Sequence, residues 1–264
     1  MANEPLRLES DGGIARLTLN RPEIHNAFDD DLIRRLTETL RTVEADPGVR
    51  AVVLASTGKS FSAGADLNWM KRMAGYSDAE NRADAMALAE MLRTLNRLAK
   101  PTVALVQGAA FGGGVGLVSC CDIAIAATPA RFALTEVRLG ILPAVISPYV
   151  VAAIGERAAR RYLLTAERFD AAEALRLGLV HDVVEPEALE TAGEALLGEL
   201  AKAGPLALGE TKDLIFRVSR GPVDAAMIED TAERITRIRA SDEGREGIGA
   251  FLEKRKPAWL AGTD

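Results

Sequence analysis

The sequence predicts an α/β fold. Three observations predict it: apolar runs of strand length recur up to about residue 184, helical periodicities fall between them, and glycine-rich turns join strand to helix. Leu6 to Glu9 and Ile14 to Leu19 alternate around Ser10-Asp-Gly-Gly13 and read as a β-hairpin. Asp29 can cap a helix that runs to about Ala45, with Leu32, Ile33, Leu36, Leu40 and Val43 on one face. Asp46-Pro-Gly48 ends it. Ala51 to Ala55 reads as a buried strand. The unit then recurs: a long helix to about Leu98, the Lys100-Pro101 break, the strand Thr102 to Gln107, and a Gly-rich turn into a helix that begins near Gly113. Ile123 to Ala127 is a further apolar run, and Val180 to Val184 reads as the last strand.

Beyond that strand the pattern is helical, over 186–202, 205–219 and 222–240, with a short segment before Pro257. There is no linker, low-complexity stretch or close repeat. The expected division is a core over 1–200 and a helical subdomain over 201–264, which either stands alone or packs on another subunit.

With 264 residues, 48% of them hydrophobic, the chain can build a substantial core. A net charge of −6 leaves no basic footprint for nucleic acid, so none is expected as a partner. Lys254-Arg-Lys256 is a local basic cluster that can meet phosphate on a small molecule. Cys120 and Cys121 are adjacent, which makes a poor staple and favours a reduced compartment and small-residue packing. The first residues lack the apolar run of a signal peptide, and no stretch has ~18 uninterrupted apolar residues to cross a bilayer. A soluble, cytoplasmic protein is expected. His25 and His181 stand far apart without a ligand cluster, so no metal site is expected, and they read as a loop residue and a strand-edge residue.

Two glycine-rich segments invite chemistry. In Thr57-Gly-Lys-Ser-Phe-Ser-Ala-Gly-Ala-Asp-Leu67, Gly-Lys-Ser resembles the end of a P-loop, but the first glycine of that motif would fall at Val53, inside a strand. In Val106 to Gly116, the glycines at 108, 112, 113, 114 and 116 do not fit a dinucleotide fingerprint. Judged singly, either segment is equally a connection or a packing device. Together they offer peptide N–H groups, in a turn and at a helix N-terminus, that carry positive partial charge and can bind a developing oxyanion. A well-placed donor of this kind is worth roughly 3–4 kcal/mol in a transition state.

Asn20-Arg-Pro-Glu-Ile-His-Asn-Ala27, Phe61-Ser-Ala-Gly-Ala-Asp66, Gly112-Gly-Gly114 with Cys121-Asp-Ile123, Leu164-Thr-Ala166 and Ala174-Leu-Arg-Leu-Gly-Leu-Val180 resemble, in order and spacing, the signatures of the enoyl-CoA hydratase/isomerase (crotonase) superfamily. The resemblance spans nearly the whole chain. It implies a crotonase-like spiral of ββα units with a C-terminal helical region, assembled as a homotrimer or as a hexamer of two trimers. It implies an acyl-CoA substrate and no separate cofactor, coenzyme A being part of the substrate. By position, Ala65 and Gly113 match the residues whose N–H groups form the oxyanion hole. Ala27, Ala63, Asp66 and Leu67 match backbone sites that hold coenzyme A. Lys59 and, from a neighbouring subunit, Phe251 and Lys254 match positions near its nucleotide end; a solvated tail is the alternative for Lys254. Glu136, in Ala133-Leu-Thr-Glu-Val-Arg-Leu-Gly140, matches the glutamate that does acid/base work, against a plain reading as a surface carboxylate near Arg138. Asp122 reads as a structural hydrogen-bonding residue.

Hydratases of the superfamily usually carry a second glutamate at the position of Gly116, and this chain has lost it. One acid suits an enoyl-CoA isomerase, whereas the further acid of dienoyl-CoA isomerases is replaced by Ala144. Phe111 to Ala126, Leu142 to Tyr149, Ile154 to Tyr162 and Phe251 to Trp259 resemble more closely the bacterial methylglutaconyl-CoA hydratases of leucine breakdown. Those hydratases, and the related hydratases of acyclic terpene degradation such as isohexenylglutaconyl-CoA hydratase, also tend to lack the first glutamate. That subgroup implies hydration of 3-methylglutaconyl-CoA; the family motifs do not fix a partner for its distal carboxylate, for which Arg138, Arg72 and Lys71 are the candidate cations. A non-catalytic acyl-CoA binder is a third reading, and RNA binding gains nothing from the charge.

Overall fold

The computed structural model describes residues 4–219 and 221–260. The expected hairpin is present as β1 (Leu6–Asp11) and β2 (Ile14–Leu19), antiparallel with Leu6 opposite Leu19. In β2 every second residue is buried, and Ala15, Leu17 and Leu19 are wholly inside. Helix α1 (Asp30–Ala45) follows; Asp29 caps it by accepting the Leu32 N–H at 2.8 Å, and its five expected apolar residues are buried.

From here the chain repeats one manoeuvre. Strand β3 (Ala51–Ser56) is followed by the three-residue β4 (Ser60–Ser62), then by α2 (Leu67–Met73) and α3 (Asp78–Arg97). Strand β5 (Thr102–Val106) is followed by β6 (Ala109–Phe111) and α4 (Gly113–Cys120); β7 (Ile123–Ala127) is followed by β8 (Arg131–Ala133), a short 3-10 turn and α5 (Ser147–Thr165). The first strand of each set enters a six-stranded sheet and the second a smaller one, which gives the expected spiral of ββα units. After α5 come β9 (Phe169–Asp170), α6 (Ala171–Leu177) and β10 (Asp182–Val184). The larger sheet runs β1-β2-β3-β5-β7-β10, parallel from β2 onward, and the smaller runs β4-β6-β8-β9. β3 and β5 are apolar without alternation because both of their faces are buried.

Asp122 has the structural role expected of it. Its Oδ2 accepts from the Thr102 N–H at 2.8 Å and hydroxyl at 2.9 Å, while its own N–H donates to Thr102 Oγ1 at 2.9 Å. This reciprocal pair fastens the start of β5 to the approach to β7. Cys120 and Cys121 are free thiols in the core. His181 extends the sheet edge, donating its N–H to Ala124 O at 2.7 Å and accepting the Ala124 N–H at Nδ1.

The chain divides into two compact units, one of residues 1–98 and 102–194, the other of residues 99–101 and 195–264. The boundary falls inside α7 (Leu189–Ala201). The second unit carries α8 (Pro205–Val218), α9 (Ala225–Ala240) and α10 (Asp242–Glu253). Within it, Glu243 accepts the Leu206 and Ala207 N–H groups at the start of α8, and Arg234 on α9 bonds Asp213 on α8 at 2.7 Å. No helix among the described residues is long and apolar enough to cross a membrane.

Candidate active site

The small sheet positions the site. β4, β6 and β8 are parallel neighbours, so the chain leaves all three at one end of the sheet. Ala65 comes three residues after β4, Gly113 two after β6 and Glu136 three after β8. Residues separated by about 50 and 20 positions in sequence therefore converge beyond the carboxyl ends of adjacent strands, where open α/β sheets place ligands.

Ala65 sits in a loop that is held from several sides. Phe28 donates its N–H to Gly64 O at 2.6 Å and accepts the Asp66 N–H at 2.7 Å, a parallel bridge that flanks Ala65. Backbone groups alternate in direction along an extended chain, so the Ala65 N–H points away from Phe28. It has no protein acceptor among the described residues, and Ala65 is exposed. Gly64, with φ +89°, brings this loop within 3.1 Å of Phe111 O, measured from where its side chain would begin. Any Cβ there would be strained by the dihedral and crowded by backbone.

Asn26 holds the base of the loop. It is wholly buried, accepts the Arg21 N–H at 2.8 Å and donates to Thr57 O at 2.8 Å and Ser60 O at 2.9 Å. Gln107 also donates to Ser60 O, at 3.1 Å, and the Ser62 hydroxyl donates to Asn26 O at 2.8 Å. Arg21 in turn pairs with Asp29 at 2.6 Å. Both His25 (φ 56°) and Asn26 (φ 53°) are left-handed, a conformation that costs a non-glycine residue about 1–2 kcal/mol.

Gly113 opens α4, and its N–H likewise has no protein acceptor among the described residues. The ring of Phe28 lies beneath it: a methyl group at Gly113 would come within 2.5 Å of Phe28 Cε2. Sequence reasoning missed Phe28, although it sits between the expected Ala27 and the helix cap Asp29.

Glu136 begins the 3-10 turn after β8 and is half-buried. Its Oε1 lies 3.0 Å from the place a side chain would start at Gly112, the residue before Gly113. Its Oε2 is buried and has no hydrogen-bond partner among the described residues. Burial pushes the carboxyl above its ordinary pKa, against the weaker opposing pull of its own backbone N–H. The surface-carboxylate reading fails on this burial, and Arg138 makes no ion pair with Glu136 among the described residues. At Gly116 there is no room for a side chain as the structure stands, since a Cβ there would lie 2.5 Å from Ile146 Cγ2.

The other expected positions fall into two groups. Lys59 in the turn before β4, Ala63 just after β4 and Leu67 at the start of α2 are all exposed, the Ala63 N–H being committed to His25 O at 2.9 Å. Ala27 is buried with its N–H bonded to Ile24 O, and the Asp66 side chain caps α2 by accepting the Asn68 and Trp69 N–H groups. Phe251, 81% exposed, and Lys254, the left-handed cap of α10, belong to the second unit. Among the described residues no three His, Cys, Asp or Glu side chains gather as a metal site.

Two unpartnered peptide donors beyond the same end of the small sheet, one of them next to a carboxyl group whose buried Oε2 lacks a donor, define a site for a substrate that is an acceptor at one end and yields or takes a proton at the other. That is the chemistry of an enolate formed next to a thioester. The enoyl-CoA hydratase/isomerase family model matches residues 9–262, and the chain belongs to that family. It is 40% identical over 248 residues to a putative enoyl-CoA hydratase of Thermus thermophilus, covering 93% of this chain and 97% of that one. It is 35% identical over 251 residues to a short-chain-enoyl-CoA hydratase of Clostridium acetobutylicum, covering 94% and 95%. The crystal structure of an enoyl-CoA hydratase from Shewanella pealeana superposes with a TM-score of 0.95 at 45% identity, covering 98% of this chain and 97% of that one. The protein is an enzyme of the enoyl-CoA hydratase type, acting on acyl-CoA.

Proposed function

We propose that the enzyme reversibly hydrates a branched enoyl-CoA, 3-methylglutaconyl-CoA, to 3-hydroxy-3-methylglutaryl-CoA. Water oxygen adds to the β-carbon while Glu136 takes one water proton; the electron pair of the double bond moves onto the thioester oxygen as an enolate. The Ala65 and Gly113 N–H groups hold that oxygen. Glu136 then returns the proton to the α-carbon and is regenerated as carboxylate. The observation that carries this reading is the buried, unpartnered Oε2 of Glu136 beside the head of α4, whose first N–H has no acceptor. A pKa raised by burial suits a group that must both accept and return a proton near neutral pH.

The substrate assignment is supported by the single acid. A water molecule held by one protein carboxylate needs another acceptor, and a dicarboxylic acyl group carries one of its own. Arg72 is engaged with Asp30 at 2.5 Å, which leaves Arg138 and Lys71, neither in an ion pair among the described residues, as the cations for that distal carboxylate. Contact of Phe251 and Lys254 with the nucleotide end belongs to the same proposal and places them in a trimeric neighbour's site.

The test is incubation with 3-methylglutaconyl-CoA and, separately, a 3-enoyl-CoA, following product mass in H₂O and H₂¹⁸O, with Glu136→Gln as control. Glu136-dependent gain of one labelled water from the branched substrate supports hydration. Mass-neutral conversion of the 3-enoyl-CoA alone makes the enzyme an isomerase.

A further inference from the structure

The Gly116 N–H bonds to Gly112 O at 3.2 Å, so Gly116 stands one helical turn along α4 from its cap. Glu136 covers the cap and Ile146 covers Gly116. A methyl group at Gly116 would lie 2.5 Å from Ile146 Cγ2 and 3.0 Å from its Cβ, with Leu92 Cδ2 at 3.8 Å. Carbon atoms in contact need about 3.5–4.0 Å. Positions 116 and 146 therefore share one side-chain volume, and Ile146 fills it.

Ile146 is not free to withdraw. It is 3% exposed, and its carbonyl accepts the Tyr149 and Val150 N–H groups, both at 3.1 Å, in the first turn of α5. The turn before it is closed by Ser147, whose N–H bonds Pro143 O at 3.0 Å and whose hydroxyl bonds Ala144 O at 2.8 Å. A β-branched side chain on a fixed backbone has few rotamers to choose from. The segment that joins Glu136 to Ile146 is itself apolar at the surface, with Leu139, Ile141 and Leu142 each more than half exposed. Exposed hydrocarbon in the segment that follows Glu136 is a surface that an apolar ligand can cover.

We propose that Ile146 is a specificity-determining residue: with Gly116 it closes the space one turn along α4 from the Glu136 carboxylate and thereby sets the bulk of the acyl group that reaches it. The proposal rests on the reading of Glu136 as the acid/base group, but it concerns the fit of the acyl group and not the reaction. Trimming Ile146 opens room for a larger group; adding a methyl at Gly116 closes that room again.

The experiment measures, by calorimetry, the affinities of saturated acyl-CoAs from butyryl to dodecanoyl for the wild type, I146V, I146A, G116A and G116A/I146A. I146A is expected to move the affinity ratio of long to short chains by about tenfold toward the long, I146V by a smaller factor in the same direction. G116A/I146A is expected to return toward the wild-type ratio, because the two positions share one volume. A general loss of packing would weaken every chain length alike and would not be reversed by a second substitution. Folded I146V and I146A that keep the wild-type order of chain lengths overturn the proposal; if I146A does not fold, I146V decides. A shifted order without Glu136-dependent water uptake leaves this inference standing and removes the hydratase reading, whereas water uptake with an unshifted order does the reverse.

Discussion

Oε1 of Glu136 lies 3.0 Å from the point at which a side chain would begin at Gly112, so the backbone of α4's cap is the surface on which the carboxylate rests. The residue immediately after that cap supplies one of the two free N–H groups. In the proposed mechanism, proton transfer and oxyanion binding are thus registered to each other through a single peptide unit.

Gly112→Ala tests this registration. Gly112 has φ +51° and ψ −116°, a region alien to alanine, and the new methyl would press on the carboxylate. We expect a fall in kcat of about a hundredfold, the scale of a 1 Å misplacement, with a smaller change in KM. Steady-state kinetics on any turned-over enoyl-CoA checks this; an unchanged kcat would show that the carboxylate does not depend on Gly112.

Glu136→Gln is expected to lower kcat by about a hundredfold to ten-thousandfold, the worth of a positioned acid/base group. Because burial raises the Glu136 pKa, the acid limb of kcat/KM in the wild type lies above the ordinary glutamate value of ~4.3. The same shift bears on stability. The folded chain holds this proton more tightly than the unfolded one, so the contribution is fully present below the unfolded pKa and is lost as pH rises through the folded pKa. Wild-type stability should therefore decline relative to Glu136→Gln across that window, which urea denaturation at a series of pH values will report.

Asn26→Ala removes three hydrogen bonds from a wholly buried site and leaves their backbone partners to find others. We expect a loss of about 2–4 kcal/mol. Asn26→Gly loses the same bonds but relieves the left-handed backbone, and should cost about 1 kcal/mol less. Denaturation midpoints of the two variants give the comparison directly.

The Asp122–Thr102 pair lies at the entry ends of its strands, away from the strand ends that carry the site. A double-mutant cycle with Asp122→Ala and Thr102→Val should return a coupling of about 1–2 kcal/mol, while kcat stays within twofold of the wild type. A large kcat effect with little coupling would mean that the pair serves the site.

Strands β2, β3, β5 and β7 of the larger sheet were legible because each is long enough to bury a recognisable apolar run, and α1 because its five buried residues repeat at helical spacing. The small sheet was not. Its strands have two or three residues, too few for any period, and β4 and β6 hide within glycine-rich loops. Helix α5 was missed as well, and Gly155 interrupts it with φ 75° and ψ 157°. In the candidate site, Ala65, Gly113 and Glu136 are singled out by motif. Their convergence was not visible, since it is produced by the pairing of β4, β6 and β8, a tertiary fact. Likewise the loss of a side chain at Gly116 could be read, but its complement Ile146 lies 30 residues away with no local signal.

Each of the three candidate site residues stands a fixed two or three steps past the end of a strand of three residues. Such strands contribute little beyond a starting line from which the chain is counted off. Successive residues turn to opposite sides of extended chain, so a single deletion between Ser62 and Ala65 would swing the free N–H to the wrong side while sparing every side chain the chemistry requires. The enzyme is accordingly more vulnerable to insertions and deletions in these turns than to most exchanges of residue within them.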